Sequence, residues 1–333
     1  MVIAIMVLAA CERAPEMGTY KKSAEVMYTT VTITVVADGP DVADRAIDAA
    51  FAEIARLEGL LSFWTETSEI AALNREAGRG PVRLSDETYE IVARAMEISR
   101  ETEGAFDGTI GPVIREWDFK TQTLPDPEAL ARAIKRVDYR RIRMDSAART
   151  AYLESAEMSF DTGGIAKGYA ADRAVGALKA NGIRAGIVAV AGDVRVFGTR
   201  QNGSRWRVGI RDPRGEPEDL IASIDLGGAG SDEAISTSGD YERYFVRDGV
   251  RYHHLLDPRT GMPAEGSMSV TVVAPKAVLT DGYATGVFVL GPEKGIALLE
   301  RLGLGGVIIT ADGRRLVTRN LESRVDWIDR AGE

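Results

Sequence analysis

Segments that read as strands and segments that read as helices alternate along this chain, with no internal repeat and no Pro-rich linker to divide them. Residues 30–36 (TVTITVV) alternate and are β-branched, the pattern of a strand. Residues 41–61 then place Val42, Ala46, Ala49, Ala50, Ile54, Leu57 and Leu61 near a 3.6-residue period, which predicts an amphipathic helix. A second helix is expected after Ser85, burying Tyr89, Val92, Met96 and Ile98 and stopping at Gly104; a third covers 127–137. Residues 139–153 read as a strand pair, and a further helix runs from the loop at 161–168 to Asn181 and Gly182. Strands are expected at 187–196, 206–210, 220–226, 241–246, 252–256, 268–273 and 307–310, with helices near 280–290 and 292–302. Such interleaving predicts an α+β fold: a single intertwined domain over residues 26–333, with mixed or antiparallel sheets flanked by helices.

Charge narrows the function classes. Lys and Arg total 41 against 50 Asp and Glu, a formal charge of -9 that repels polyanions at long range and argues against nucleic acid as a partner. A phosphorylated small molecule stays open, because backbone donors or a metal hold phosphate inside an acidic protein. The single cysteine, Cys11, excludes a disulfide framework and a Cys-based zinc site. The only two histidines, His253 and His254, are adjacent and point to opposite faces of a strand, so one faces inward and the two do not share a metal. Any metal here is expected to take oxygen ligands.

The N-terminus reads as an address. Residues 1–10 are an unbroken apolar run, short of the roughly 20 residues that span a bilayer and within the range of a signal-peptide core. The run ends Leu8, Ala9, Ala10, Cys11, which resembles the lipobox of bacterial lipoproteins, although no basic segment precedes it. Residues 1–11 are therefore expected to be a lipoprotein signal peptide with Cys11 as the acylated residue, and residues 12–25 a polar tether. The alternative is an apolar start with a chance cysteine.

Four segments carry candidate chemistry. DTGGIAKG (161–168) places two glycines and Lys167 where a helix begins, suiting either a phosphate or a tight turn capped by Asp161; it is not a Walker A loop. TDGYAT (280–285) puts Asp281 and Thr285 four apart on one helix face, able to share a hard cation such as Mg²⁺, or to cap the helix and bond back to a carbonyl. YHHLLDPRTGMP (252–263) runs from a strand into a polar turn, read either as a site or as a structural hairpin. STSGDY (236–241) offers hydroxyls but lacks the Gly-x-Ser-x-Gly of a serine hydrolase.

These segments, with LSFWTETSEIAALN (61–74), GAFDGTIGP (104–112) and AGD (191–193), resemble the ApbE family of FAD:protein FMN transferases over residues 27–318. The resemblance implies an ApbE-like, T-fold-related architecture in which FAD lies across the motifs with Mg²⁺ on its pyrophosphate. By position it implies Asp281 and Thr285 as side-chain ligands of the metal, with Gly164 lending a backbone carbonyl. It implies Met27, Trp64, Ala105, Phe106, Asp107, Asp161, Lys167, His254 and Leu255 as FAD contacts, a set whose aromatic and apolar members suit a flavin. Two positions depart from the pattern. The early Met-Gly-Thr appears as MYT (27–29) rather than as MGT (17–19), since only the former leads into the strand, and Ala191 stands where a second glycine is common, which costs little if the turn angle suits Ala.

The implied activity is transfer of FMN from FAD to a Ser or Thr hydroxyl of an acceptor flavoprotein, with release of AMP. His254 or Asp257 would accept the hydroxyl proton. Acceptors are expected among membrane electron-transport complexes, met by an enzyme lipid-anchored to the inner membrane and facing the periplasm, or on the outer face of the cytoplasmic membrane. The rival readings are a Mg-dependent FAD pyrophosphatase yielding FMN and AMP, and a non-catalytic FAD-binding lipoprotein.

Overall fold

The computed structural model describes residues 17–328, so the apolar run and Cys11 lie outside the described residues. The β-branched run is β2 (Thr29–Asp38), whose Val31, Ile33 and Val35 are fully buried on one face. β1 (Met17–Val26) pairs with it antiparallel, from Met17 opposite Asp38 to Val26 opposite Thr29. Residues 17–25, expected to belong to a tether, are therefore an edge strand. Their polar side chains mislead because an edge strand needs apolar groups on one face at most. Lys22 also reaches Asp44 and Asp48 at 3.1 and 3.0 Å.

α1 (Pro40–Leu61) buries the predicted stripe, with Ala46, Ala50, Ile54, Leu57 and Leu61 at 0% exposure. α2 (Glu69–Arg75), β3 (Val82–Arg83) and α3 (Asp86–Glu101) follow. Ser85 caps α3 as expected, its Oγ accepting from the Thr88 amide at 3.2 Å. α4 (Gly111–Ile114) and α5 (Pro127–Ile134) come next, the latter ending three residues earlier than its sequence pattern. β4 (Ile142–Asp145) and β5 (Thr150–Leu153) form a small sheet with β3, and α6 (Ala166–Ala180) leads back toward the main sheet.

β6 (Ala185–Val190) and β7 (Asp193–Phe197) replace the single strand expected over 187–196, because the chain reverses at Ala191 and Gly192. Then come β8 (Trp206–Arg211), β9 (Leu220–Leu226), β10 (Asp232–Gly239), β11 (Tyr244–Arg247), β12 (Val250–His253) and β13 (Ser267–Ala274). α7 (Ala277–Leu290), α8 (Pro292–Leu302), β14 (Gly305–Thr310), β15 (Arg315–Val317) and β16 (Val325–Trp327) complete the described chain. The main sheet has eight strands in the order β1-β2-β6-β7-β10-β13-β14-β15, and every ladder in it is antiparallel.

Three layers result. α1, α6 and α7 cover one face of the sheet with a core that includes Ile54, Leu57, Val188 and Phe288. The other face packs Val196, Ile235 and Ile309 against Trp206, Ile224 and Leu226 of a three-stranded sheet, β16-β9-β8. Burial from both sides explains why β7 and β14 are buried at every residue and do not alternate. A third cluster, Val113, Trp117, Leu130, Ala133, Phe245 and Leu256, holds α4 and α5 against the β11–β12 hairpin as a separate cap. This is the α+β single domain expected, and no helix among the described residues is long and apolar enough to cross a membrane.

A chain lacking residues 1–26 is predicted to melt several degrees below one lacking residues 1–16, at about 2–4 °C per kcal/mol lost, and to self-associate through the bared edge of β2. Thermal unfolding and sedimentation of the two chains test this; equal melting and equal monodispersity would restore the tether reading.

Candidate active site

A cleft of about 810 Å³ opens where the first turn of α6, the β6–β7 turn, the ends of β10 and β12, and the buried face of α7 meet the cap. Its walls include Met27, Trp64, Ala105, Phe106, Asp107, Asp161, Gly164, Lys167, His254, Leu255, Asp281 and Thr285, so the structure gathers all nine implied FAD contacts and all three implied metal-binding residues at one place. Met17, the rejected alternative for the early methionine, sits at the far end of β1. Asp257 is not a wall residue. Its carboxylate is held by the Arg259 guanidinium at 2.7–3.1 Å.

At the floor, Lys167 of α6 lies against Asp193 of β7 and 3.7 Å from Asp281 of α7. Both carboxylates are buried. Burial works against the Lys167 ammonium, but the two carboxylates outweigh it and hold its pKa above the ordinary lysine value. Asp281 is shifted upward, first by burial and then by the neighbouring Asp193. Its Oδ2 accepts the Gly168 amide at 2.9 Å, so one donor freed at the start of α6 goes to a carboxylate of the protein itself. This approach requires Gly168: a Cβ there would lie 2.1 Å from the Ala277 carbonyl oxygen and 2.7 Å from the Asp281 Cβ.

The tight turn at Asp161 is present, but Asp281 caps no helix. α7 begins at Ala277, and the carboxylate of Asp172 on α6 receives the Ala277 and Val278 amides at 2.9 and 3.0 Å, which leaves Asp281 in the second turn and free to face the cleft. Asp161 closes a local turn on the Gly163 amide at 2.6 Å, upstream of α6. Thr285 turns its hydroxyl toward Ser238 Oγ at 3.4 Å rather than to a carbonyl. A Cβ on Gly164 would stand 3.4 Å from that same hydroxyl and 3.1 Å from Phe106, so the glycine keeps open the space beside Thr285. Among the described residues no three His, Cys, Asp or Glu converge on a metal position. The donors present here are one carboxylate, a hydroxyl and backbone oxygen, a set that fits a hard cation whose remaining positions are filled by substrate and water.

The histidines divide as expected. His253 is buried, its Nε2 is 3.0 Å from the Ala264 carbonyl, and its ring lies edge-on to Phe288. His254 faces the cleft, with Nδ1 3.3 Å from the Arg243 carbonyl, which assigns the proton to Nδ1 and leaves Nε2 without a partner among the described residues. Burial, then the Arg243 cation, push the His254 pKa down to about 3. Asp107 is also shifted upward by burial, against hydrogen bonds from the Thr109 hydroxyl and amide and the Tyr139 amide.

Two turns at the cleft edge carry strain. Met27 and Tyr28, at φ 55° and 57°, form the two-residue β1–β2 turn, and Ala191, at φ 52°, opens the β6–β7 turn. The condition set for Ala191 fails, since the left-handed angle favours glycine and costs a side chain of order 1–2 kcal/mol. The Met27 amide is held by Glu58 Oε2 at 3.0 Å.

Sequence reasoning missed Asp193 as a site residue, together with Thr237, Ser238 and Arg243 on the cleft wall. AGD and STSGDY flagged their neighbourhood. Only the pairing of β7 with β10, which sets Asp193 opposite Ser236, gives them a position.

The sequence signature of the ApbE family matches residues 27–308. The chain is 33% identical over 342 residues to the FAD:protein FMN transferase of Treponema pallidum (strain Nichols), covering 97% of this chain and 93% of that protein. It is 32% identical to a FAD:protein FMN transferase of Vibrio cholerae, covering 89% and 88%. Among solved structures, the ApbE protein from Thermotoga maritima superposes with a TM-score of 0.84 at 32% identity, covering 92% of this chain and 99% of that one. The flavin transferase ApbE from Vibrio cholerae gives 0.81 at 28%, covering 93% and 100%. The chain belongs to the ApbE family and is a transferase.

Gly168→Ala is predicted to lose at least about 1–3 kcal/mol of stability by overpacking, read by urea denaturation; an unchanged midpoint would show that α6 and α7 separate freely. His254, with its pKa lowered in the fold, takes up a proton more readily when unfolded. Its contribution to stability is thus complete above pH 6.5 and declines as pH falls toward about 3. The two imidazole Cε1 resonances test this: His254 is predicted to stay neutral from pH 8 to 5, and His253 to titrate below 6.5. A His254 midpoint near 6.5 would contradict the downward shift.

Proposed function

We propose that the enzyme transfers FMN from FAD to a Ser or Thr hydroxyl of another protein and releases AMP, with Mg²⁺ as its metal. The observation that carries this reading is the meeting of Asp281, Thr285 and Gly164, an all-oxygen donor set, beside Lys167 in a cleft with apolar walls. Bound there, Mg²⁺ would neutralise the pyrophosphate and stabilise charge on the departing phosphate. Asp281, Thr285 and the Gly164 carbonyl would hold it. Phe106, Leu255 and Trp64 supply apolar surface for a flavin.

In the transfer, the acceptor oxygen forms a bond to the FMN phosphorus, the bond from that phosphorus to the bridging oxygen breaks, and AMP leaves with the bridging oxygen. The hydroxyl proton passes to His254 Nε2, which is free because Nδ1 is bound to the Arg243 carbonyl. An imidazole of low basicity suffices if the proton moves late, as in a loose phosphoryl-transfer transition state where positioning and electrostatics dominate. Lys167, kept charged by Asp193 and Asp281, adds a fixed positive centre to the floor. Neither Asp257 nor a serine nucleophile is needed.

The location belongs to the same proposal. The apolar residues 1–10 ending at Cys11 support a lipid anchor that holds the enzyme at the outer face of the cytoplasmic membrane, in the bacterial envelope, where electron-transport flavoproteins are natural acceptors.

Incubation with FAD and Mg²⁺, with and without a candidate acceptor, is predicted to give AMP together with flavin covalently bound to the acceptor. Asp281→Ala should reduce that transfer by at least about 100-fold, a loss typical of removing a charge-stabilising contact from a transition state. AMP with free FMN alone would favour the pyrophosphatase, and bound FAD without AMP the carrier. Full transfer by Asp281→Ala would overturn the metal assignment.

A further inference from the structure

The β1–β2 turn contains a residue that the transfer mechanism leaves unused. Val26 pairs with Thr29, so Met27 and Tyr28 are the whole turn, and both have left-handed backbone angles. Two-residue turns of this kind are filled by Asn and Gly, because a side chain there crowds its own backbone. Met27 has a local reason to be fixed, since Glu58 holds its amide. Tyr28 has none among the described residues. Its ring is 77% exposed, it makes no aromatic contact, and its hydroxyl has no hydrogen bond among the described residues. Strain that no packing offsets, at a residue bordering the cleft, directs attention to a contact outside the chain.

Trp64 supplies the second observation. It also borders the cleft and is 65% exposed, so two large aromatic side chains stand unburied beside one opening. An exposed tyrosine changes rotamer on the picosecond to nanosecond scale, which lets the ring swing over an occupant without moving the backbone. Rings used in this way favour planar, electron-poor or heteroaromatic partners through offset stacking.

We propose that Tyr28 is a substrate-contacting residue whose ring closes over the planar heterocycle of the dinucleotide bound in the cleft. This rests on the reading of the cleft as an FAD site and adds to it a residue that tunes affinity. Isoalloxazine and adenine share the required chemistry, and ligands carrying only one of them tell the two apart.

The test compares the wild-type protein with Tyr28→Gly and Tyr28→Phe, measuring thermal unfolding, dissociation constants for FAD, FMN and ADP, and KM and kcat for transfer. Glycine relieves the left-handed strain and removes the ring together. Tyr28→Gly is therefore expected to hold or raise the melting temperature while weakening FAD binding about 3- to 10-fold, with the loss in KM rather than kcat. Tyr28→Phe is expected to bind as the wild type does. A loss shared by FMN and not ADP places the ring over isoalloxazine; the converse places it over adenine. Unchanged FAD affinity in Tyr28→Gly would overturn the proposal, as would a fall in melting temperature that accounts for weaker binding. A wild-type protein that binds no FAD would overturn the functional reading and this inference with it.

Discussion

The contact of Lys167 with Asp193 and Asp281 joins one residue from α6, one from β7 and one from α7, and both of its carboxylates are buried. Charges in such surroundings are stable only in company, so any shift of a helix relative to the sheet that separated them would leave a buried ion alone. The cluster thus fixes the height of α6 and α7 over the strands. Gly168 permits the approach by presenting no side chain to the Ala277 carbonyl, and the Gly168 amide completes the shell of Asp281. Asp172 fastens the start of α7 from the same helix, one turn further on. Position and chemistry are supplied here by the same atoms.

Strain lies close to this cluster. The left-handed residues Met27, Tyr28 and Ala191 occupy two hairpin turns at one end of the sheet, linked by the bond from the Ala191 amide to the Thr30 carbonyl. β2 and β6 are neighbours in the ladder, so the turns share an edge of the cleft. Their cost is met by the long pairings behind them, above all the full register of β1 on β2. An edge strand with few buried side chains thereby matters to the shape of a binding site.

What the sequence revealed follows physical locality. The stripe of α1, the Ser85 cap and the i, i+4 relation of Asp281 to Thr285 are local patterns, and they survive in the fold. The ordered motifs also mark the cleft, because a site assembled from loops leaves a trace in each. No strand was expected at β10: its hydroxyls gain a place only where Ser236 meets Thr280 at 2.7 Å and Thr237 meets Thr271 at 2.8 Å. The start of α7 was misplaced because its cap comes from Asp172, 105 residues away from Ala277. The reversal at Ala191 was hidden by a residue that the angle disfavours. In each case the deciding partner is distant in sequence.

The cap has a hydrophobic cluster of its own, apart from the two cores that sandwich the main sheet. The bond from Trp117 Nε1 to the Gly261 carbonyl, at 2.8 Å, ties its helical part to the turn after β12. Ile114, Trp117 and Phe119 border the cleft on this side, while Lys167, Asp281 and Thr285 border it from the main core. A molecule that fills the cleft therefore touches two units with separate apolar interiors. Opening of the cap and release of the occupant are linked equilibria, so the free energy of binding also resists local unfolding of the cap.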